Sequence, residues 1–167
     1  MKISERGLDL IIDHEGYSAT VYKDQAGLDT IGYGHLIKPG ESYTVIDKQK
    51  AKELLAQDVG EAERCVKSTI KKPLTQNQFD ALTSMTYNIG CGNFKSSTLA
   101  KEINAGNSGK APSEMMRWNK VTQQQTKTVN GVPTKVPTLV VSRGLSNRRE
   151  QEAKLFSGFS PSKLGTA

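Results

Sequence analysis

Ser4-Glu-Arg-Gly-Leu-Asp-Leu-Ile-Ile-Asp-His-Glu15-Gly16 is followed directly by Tyr17-Ser-Ala-Thr-Val-Tyr-Lys-Asp24-Gln-Ala-Gly-Leu-Asp-Thr30-Ile-Gly-Tyr-Gly-His35-Leu-Ile37. In the first run Leu8, Ile11 and Ile12 lie seven, four and three residues before Glu15, so all four share one helical face. Ser4 is the expected N-cap, and Gly16 is expected to stop the helix in a left-handed conformation, leaving Glu15 in the last turn. Its carboxyl then points at a core or a cleft wall. Partial burial and the negative end of the helix dipole both favour the protonated form there, which is the profile of a proton donor. On this segment alone a second reading stays open, in which an arginine across a packed interface neutralises the glutamate.

The second run is rich in β-branched and aromatic residues and is broken by a polar, glycine-containing turn, so it reads as a β-hairpin. Asp24 falls where the first strand meets the turn, among Lys23, Gln25 and Gly27, and is expected to stay solvated and ionised. Two carboxyl groups in contrasting environments suit an acid paired with a carboxylate that stabilises positive charge or assists a water. On the returning strand, alternation sets Thr30, Gly32, Gly34 and Leu36 on one face and Ile31, Tyr33, His35 and Ile37 on the other. Two glycines beside a threonine leave a lane in which a sugar ring can lie against the backbone, with the Thr30 hydroxyl free to hold a water. The other reading gives both glycines to twist relief or bulges.

Glu15, eight residues, Asp24, five residues, Thr30, then Ile-Gly-Tyr-Gly-His35 resembles the phage lysozymes of the T-even and lambdoid type, glycoside hydrolase family 24. The run from Phe79 to Phe94 is similar to the family's central helix and loop, and Gly144 to Phe156 is similar to its closing motif. The resemblance spans roughly residues 3 to 157. It implies that Glu15 donates a proton to the glycosidic oxygen, that Asp24 is the second carboxylate, and that Thr30 helps position the attacking water in an inverting hydrolysis. The implied substrate is the β-1,4 bond between N-acetylmuramic acid and N-acetylglucosamine in bacterial peptidoglycan. Leu36 and Tyr87 match positions along the family's sugar-binding cleft, and Ser97 or Thr98 falls near another. The same comparison makes His35 and Asp58 a candidate structural ion pair, with a catalytic His35 as the alternative.

The 167 residues suffice for one domain with an adequate core and no metal or disulfide. Lys and Arg number 23 against 17 Asp and Glu, a net charge of +6 that favours polyanions such as nucleic acid, an anionic membrane or a cell wall. Nucleic acid is set aside, because aromatic residues are few and no basic run is interleaved with them. The charged opening Met1-Lys-Ile-Ser-Glu-Arg does not read as a signal peptide, and no run reaches membrane-spanning length. The expectation is a monomer without membrane insertion, held in the host cytoplasm until a separate pore, a phage holin by the resemblance, admits it to the periplasm. Cys65 and Cys91 are expected to be reduced, bridging only after release if the fold brings them together. No metal or other cofactor is called for.

The rest of the chain reads as helices and one ribbon. Thr44 is the expected cap of a helix to about Gln57, with Ile46, Ala51, Leu54 and Leu55 as its buried stripe. Thr75 and Gln78 form a capping box, with Leu74 stapled onto Phe79, for a helix ending near Gly90. A turn at Cys91-Gly92-Asn93 is expected to lead to a further helix from Ser96 or Ser97. Trp118 is expected in the core rather than as a sugar platform. Asn130-Gly131 centres a projecting hairpin between Val121 and Val141, and Arg148 or Arg149 on the last helix is placed to reach Glu15.

The predicted class is α+β, lysozyme-like and mainly helical, in one domain. A β-containing lobe with its connecting helix spans about 15–60, and residues 1–14 and 61–160 form a larger helical lobe, with a cleft between the two and a tail over 161–167. The intact trio of acid, second carboxylate and hydroxyl favours an enzyme over a noncatalytic wall-binding relative. A chitin- or chitosan-cleaving relative is the nearer competitor.

Overall fold

Ser4 starts the first helix by accepting a hydrogen bond from the Gly7 N–H through its hydroxyl, while that hydroxyl donates to Asp80 from a distant helix. The computed structural model describes residues 1–158, so the tail expected over 161–167 lies outside the described residues. The order of elements is α1 (Glu5–His14), β1 (Ser18–Lys23), β2 (Asp29–Gly32), β3 (His35–Leu36), α2 (Lys48–Asp58), α3 (Gly60–Thr69) and α4 (Gln76–Ile89). There follow α5 (Cys91–Ser96), α6 (Thr98–Asn104), a 3-10 turn at Ser108–Lys110, α7 (Ala111–Met116), β4 (Lys120–Val129), β5 (Val132–Val141) and α8 (Arg143–Phe156). The architecture is α+β and mainly helical.

Two apolar clusters organise it. Phe79, Leu82, Met85, Phe94, Leu99, Ile103, Met115 and Leu155 build the larger one from the helices around α4. Ile31, Tyr33, Ile46, Leu54, Leu55 and Val59 build a smaller one between the sheet and α2. Helix α1 serves both, with Leu10 in the first cluster and Leu8 and Ile11 in the second. Full burial of a leucine or isoleucine contributes about 1.5–3 kcal/mol, so this short helix is fixed from two sides. Glu15, next along the chain, therefore sits at the seam.

Several local expectations are corrected by tertiary contacts. Gly16 does not cap α1 in a left-handed conformation; Glu15 is itself the cap residue, in extended backbone (φ −105°), with its N–H still donating to the Ile12 carbonyl. Helix α2 starts after Asp47, not Thr44, because Ile46 N–H donates to the Ala19 carbonyl and Val45 bridges Thr20, which draws both into the sheet. Asp47 takes over the cap, accepting from Lys50 N–H at 2.8 Å. Residues 91–96 form α5 rather than a turn.

The alternation expected through Gly34 breaks. Strand β2 ends at Gly32 (φ +69°), and Gly34 (φ +86°) completes a tight reversal that pairs Ile31 with His35 and Thr30 with Leu36. Gly32 lies against α2, where an added Cβ would stand 3.1 Å from that of Ala51, so it is a close-packing site and not an open lane. The fold does bring Cys65 and Cys91 together, which is the condition set for their bridging. Their Cα atoms are 5.8 Å apart, inside the ~4.4–6.8 Å a disulfide spans, and the bond ties α3 to α5.

The capping box at Thr75 and Gln78 forms, Leu74 packs beside the core, and α4 ends at Gly90 with φ +90°. Trp118 is partly buried against the larger cluster, and it also lines a surface groove. The β4–β5 hairpin runs in ten consecutive pairs, with Pro133 opposite Thr128 and Pro137 opposite Gln124.

Candidate active site

Helix α1 delivers Glu15 to the seam, and its carboxylate faces α8. Glu15 Oε1 lies 3.2 Å from Arg148 Nη1, with 28% of the glutamate side chain exposed and 4% of the arginine. An added Cβ on Gly34 would stand 3.9 Å from the other carboxylate oxygen, so the bare backbone of the β2–β3 reversal flanks Glu15 from the sheet side. Of the two arginines placed within reach by sequence, Arg148 makes the contact.

Arg148 is itself held from behind. Its Nε is 3.1 Å from Glu152 Oε1, one helical turn on, and its Nη2 donates to the Ser84 carbonyl at 3.3 Å. Glu152 is fully buried, accepts from the Ser84 hydroxyl at 2.8 Å, and pairs with Arg149 at 3.3 Å. Burial pushes the Glu152 carboxyl above its ordinary range, and the guanidinium groups of Arg149 and Arg148 and the Ser84 hydroxyl pull against that. Arg149 donates to Asn88 and is lowered by burial, against the pull of Glu152. This buried layer escaped the sequence reading. Its available signal was the four-residue spacing of Arg148 and Glu152, which places the two charges on one helix face.

Asp24 stands at the opposite end of the sheet, at the mouth of the β1–β2 turn. Its Oδ1 accepts from the N–H groups of Ala26 and Leu28, both at 2.9 Å, and its own N–H donates to the Leu28 carbonyl at 2.9 Å. An Asx-type turn of this kind fixes the carboxylate, while Oδ2 has no hydrogen-bond partner among the described residues. Thr30 is 2% exposed, and its hydroxyl donates to the Leu28 carbonyl at 3.0 Å, so the hydroxyl is not free as expected. Only its acceptor lone pairs remain for a water.

Leu36 pairs with Thr30 across the strands and is 46% exposed on the surface of the small sheet. Tyr87, on α4, packs against the smaller cluster. Burial pushes its hydroxyl up to about 12, with the negative charges of Asp58 and Glu15 adding to the effect, so it is a neutral phenol at any ordinary pH. Ser97 is buried and spent on α6, donating to the Phe94 carbonyl at 2.6 Å and accepting from Ala100 N–H at 3.1 Å. Thr98 is exposed and lines, with Asn88, Asn93, Arg117 and Trp118, a groove of about 760 Å³.

His35 is buried between two carboxylates, with Nδ1 2.8 Å from Asp58 Oδ2 and Nε2 2.8 Å from Glu41 Oε2. Burial lowers the imidazole, but the hydrogen bonds its ring donates to Glu41 and then to Asp58 outweigh it and the net shift is upward. Glu41 was not singled out by sequence. It sits beyond the Pro39-Gly40 turn, which doubles the chain back on His35. Both ring nitrogens are occupied, so His35 has no free position toward a substrate. Among the described residues, no group of three or more His, Cys, Asp or Glu side chains converges as metal ligands.

Residues 12–152 match the family model described as phage lysozyme. The chain is 39% identical, over 93% of its length and 98% of the relative's, to the endolysin of Acyrthosiphon pisum secondary endosymbiont phage 1. Among solved structures it is similar to an endolysin from Escherichia coli O157:H7 phage FAHEc1, with TM-score 0.75, 40% identity and 93% of each chain covered. It is also similar to the muramidase domain of SpmX from Asticaccaulis excentricus, with TM-score 0.76, 33% identity, and 93% and 97% of the two chains covered.

Proposed function

The chain belongs to the phage lysozyme family, and from that premise we propose that Glu15, Asp24 and Thr30 carry its chemistry. The protein has a lysozyme-like fold and is a peptidoglycan-hydrolysing enzyme of the endolysin type. The protonated Glu15 carboxyl donates to the glycosidic oxygen between N-acetylmuramic acid and N-acetylglucosamine. Charge developing on the sugar ring is met by the Asp24 carboxylate, which the β1–β2 turn fixes in place. A water on the far face of the ring, held by the Thr30 oxygen, attacks the anomeric carbon as its bond to the leaving oxygen breaks, with inversion, and passes its proton to the Asp24 carboxylate.

The observation that carries this reading is the placement of Glu15. It is a partly exposed carboxyl at the seam of two cores, flanked by bare backbone; the Arg148 guanidinium 3.2 Å from its Oε1 is the arginine of the other reading and favours the ionised form, so the reading rests on the exposure and the flanking backbone and not on that contact. Leu36, Tyr87 and Thr98 are proposed to line the sugar path, with Ser97 shaping it through the α6 cap. His35 and Asp58, with Glu41, are proposed to hold the sheet to α2 rather than to react.

No helix among the described residues is long and apolar enough to cross a membrane. We infer that the enzyme acts as a monomer, accumulates in the host cytoplasm, and reaches the wall through a separate holin pore at the end of a phage cycle. The test is turbidity loss of outer-membrane-stripped Gram-negative walls, with mass analysis of the fragments. Wild type is expected to release fragments with reducing muramic ends, and Glu15→Gln to lose several orders of magnitude. Equal clearing by both would remove Glu15 as the acid. Binding without fragment release by either would point to a wall-binding protein.

A further inference from the structure

The β4–β5 hairpin is left unused by the hydrolytic chemistry. Every residue of β4 is exposed, and the two strands pack chiefly on each other. Its turn, Asn130 (φ +50°) and Gly131 (φ +78°), is a two-residue reversal that brings Val129 opposite Val132 in the last pair. Those valines are 45% and 60% exposed, so the end of the ribbon is apolar. Exposed apolar groups gathered at one point mark contact surfaces more often than isolated ones do.

Cations flank that end. Lys127 pairs with Thr134 on the valine face, and Lys135 pairs with Thr126 on the opposite face. At ~3.4 Å per residue each lysine is about 7–10 Å behind the valines. Neither has a carboxylate partner among the described residues, and no Asp or Glu occurs between Glu114 and Glu150. We propose that this tip docks end-on onto an anionic phospholipid surface, with Val129 and Val132 entering the headgroup layer and Lys127 and Lys135 meeting lipid phosphates.

The spacing suits that occupant. Peripheral amphipathic elements seat their apolar groups about 5–10 Å into the headgroup and acyl boundary, and basic residues beside them bind the negative leaflet surface. Nucleic acid would use aromatic or arginine platforms for its bases, and residues 120–141 contain neither. A purely ionic polymer would have no use for the paired valines. The contact is peripheral, and it is separate from Glu15 and Asp24.

The test is co-sedimentation of the full chain with vesicles of phosphatidylglycerol and phosphatidylcholine, or of phosphatidylcholine alone, in low and high salt. Lys127→Gln/Lys135→Gln and Val129→Ser/Val132→Ser are compared with wild type, and clearing of lipid-free peptidoglycan reports folding. Wild type is expected to partition at least tenfold more strongly onto the anionic vesicles, the lysine variant to lose that preference, and the valine variant to lose severalfold, with all three clearing walls equally. Equal partition onto both vesicle types, or no change in either variant, would overturn the proposal. A loss confined to the lysine variant would assign the tip to a soluble polyanion instead, and a matching loss of wall clearing would assign it to the wall.

Discussion

Glu15 and Glu152, two carboxylates 137 positions apart in the chain, share a single guanidinium: Arg148 reaches Glu15 through Nη1 at 3.2 Å and Glu152 through Nε at 3.1 Å. The buried carboxylate thereby fixes where the exposed one finds its partner. Glu152→Gln keeps the shape but leaves two guanidinium groups short of a counter-charge, a change that costs about 3–5 kcal/mol of stability when one partner of a buried pair is removed. The expected kinetic effect is a fall in kcat of roughly ten- to a hundredfold, with KM nearly unchanged, because the acid is misplaced while the sugar path is intact. The pH–rate profile should move as well. A stability loss with unaltered kcat and an unmoved profile would leave Glu152 a purely structural residue.

Asp24 separates charge from turn chemistry. Asparagine preserves the oxygen that accepts from Ala26 and Leu28, so Asp24→Asn should keep its melting temperature and lose wall-clearing activity by at least a hundredfold. Asp24→Ala removes both functions and should cost a further ~1 kcal/mol of stability. An active Asp24→Asn enzyme would remove the second carboxylate from the mechanism.

The His35 cluster sets a pH window for stability. Its folded-state pKa is raised above the ordinary 6.5, so its contribution is complete below that value and is lost as pH rises through the folded pKa. The Glu41 carboxyl is held below its ordinary 4.5 by the hydrogen bond with His35 and then that with Lys38 N–H, so its contribution is complete above that value and is lost as pH falls through the folded one. Both act together between about pH 4.5 and 6.5. Calorimetry should give a higher melting temperature at pH 6 than at pH 9, and His35→Asn should flatten that difference. An unchanged pH profile in the variant would show the ring to be neutral throughout.

Cleaving the Cys65–Cys91 bond frees a loop with a sequence separation of 26, for which chain entropy predicts about 3–4 kcal/mol. Dithiothreitol, or Cys65→Ser/Cys91→Ser, should therefore lower the melting temperature by roughly 10 °C while leaving activity at low temperature close to wild type. A melting temperature indifferent to reductant would mean that the thiols are not bridged in solution.

Features set within a few residues were legible in the sequence. The Ser4 cap, the Thr75–Gln78 box and the Asn130-Gly131 turn each follow from side chains bonding their own backbone or from a φ that few residues accept. Features set by distant partners were not. Val45 and Ile46 look like the start of a helix until Ala19 and Thr20 take up their backbone groups. Alternation misplaced Gly34 because it presumes an unbroken strand, and positive φ at Gly32 and Gly34 ends that strand instead. Glu15 stood out because a carboxylate on the apolar face of a helix is unusual, and Asp24 because its polar turn contrasts with that setting. Glu152 did not, because its burial depends on Ser84 and the guanidinium groups around it. The pairing of Cys65 with Cys91 was left open because a redox-compartment argument carries no geometry.

The first helix closes on residues made much later. Ser4 waits for Asp80, and Glu15 waits for Arg148, 133 positions further along. During ribosomal synthesis Glu15 thus emerges well before its setting, which is completed only when α8 has left the exit tunnel. A chain stalled or truncated before Arg143 carries Glu15 with no guanidinium beside it, so the pairing forms only in copies that extend through α8.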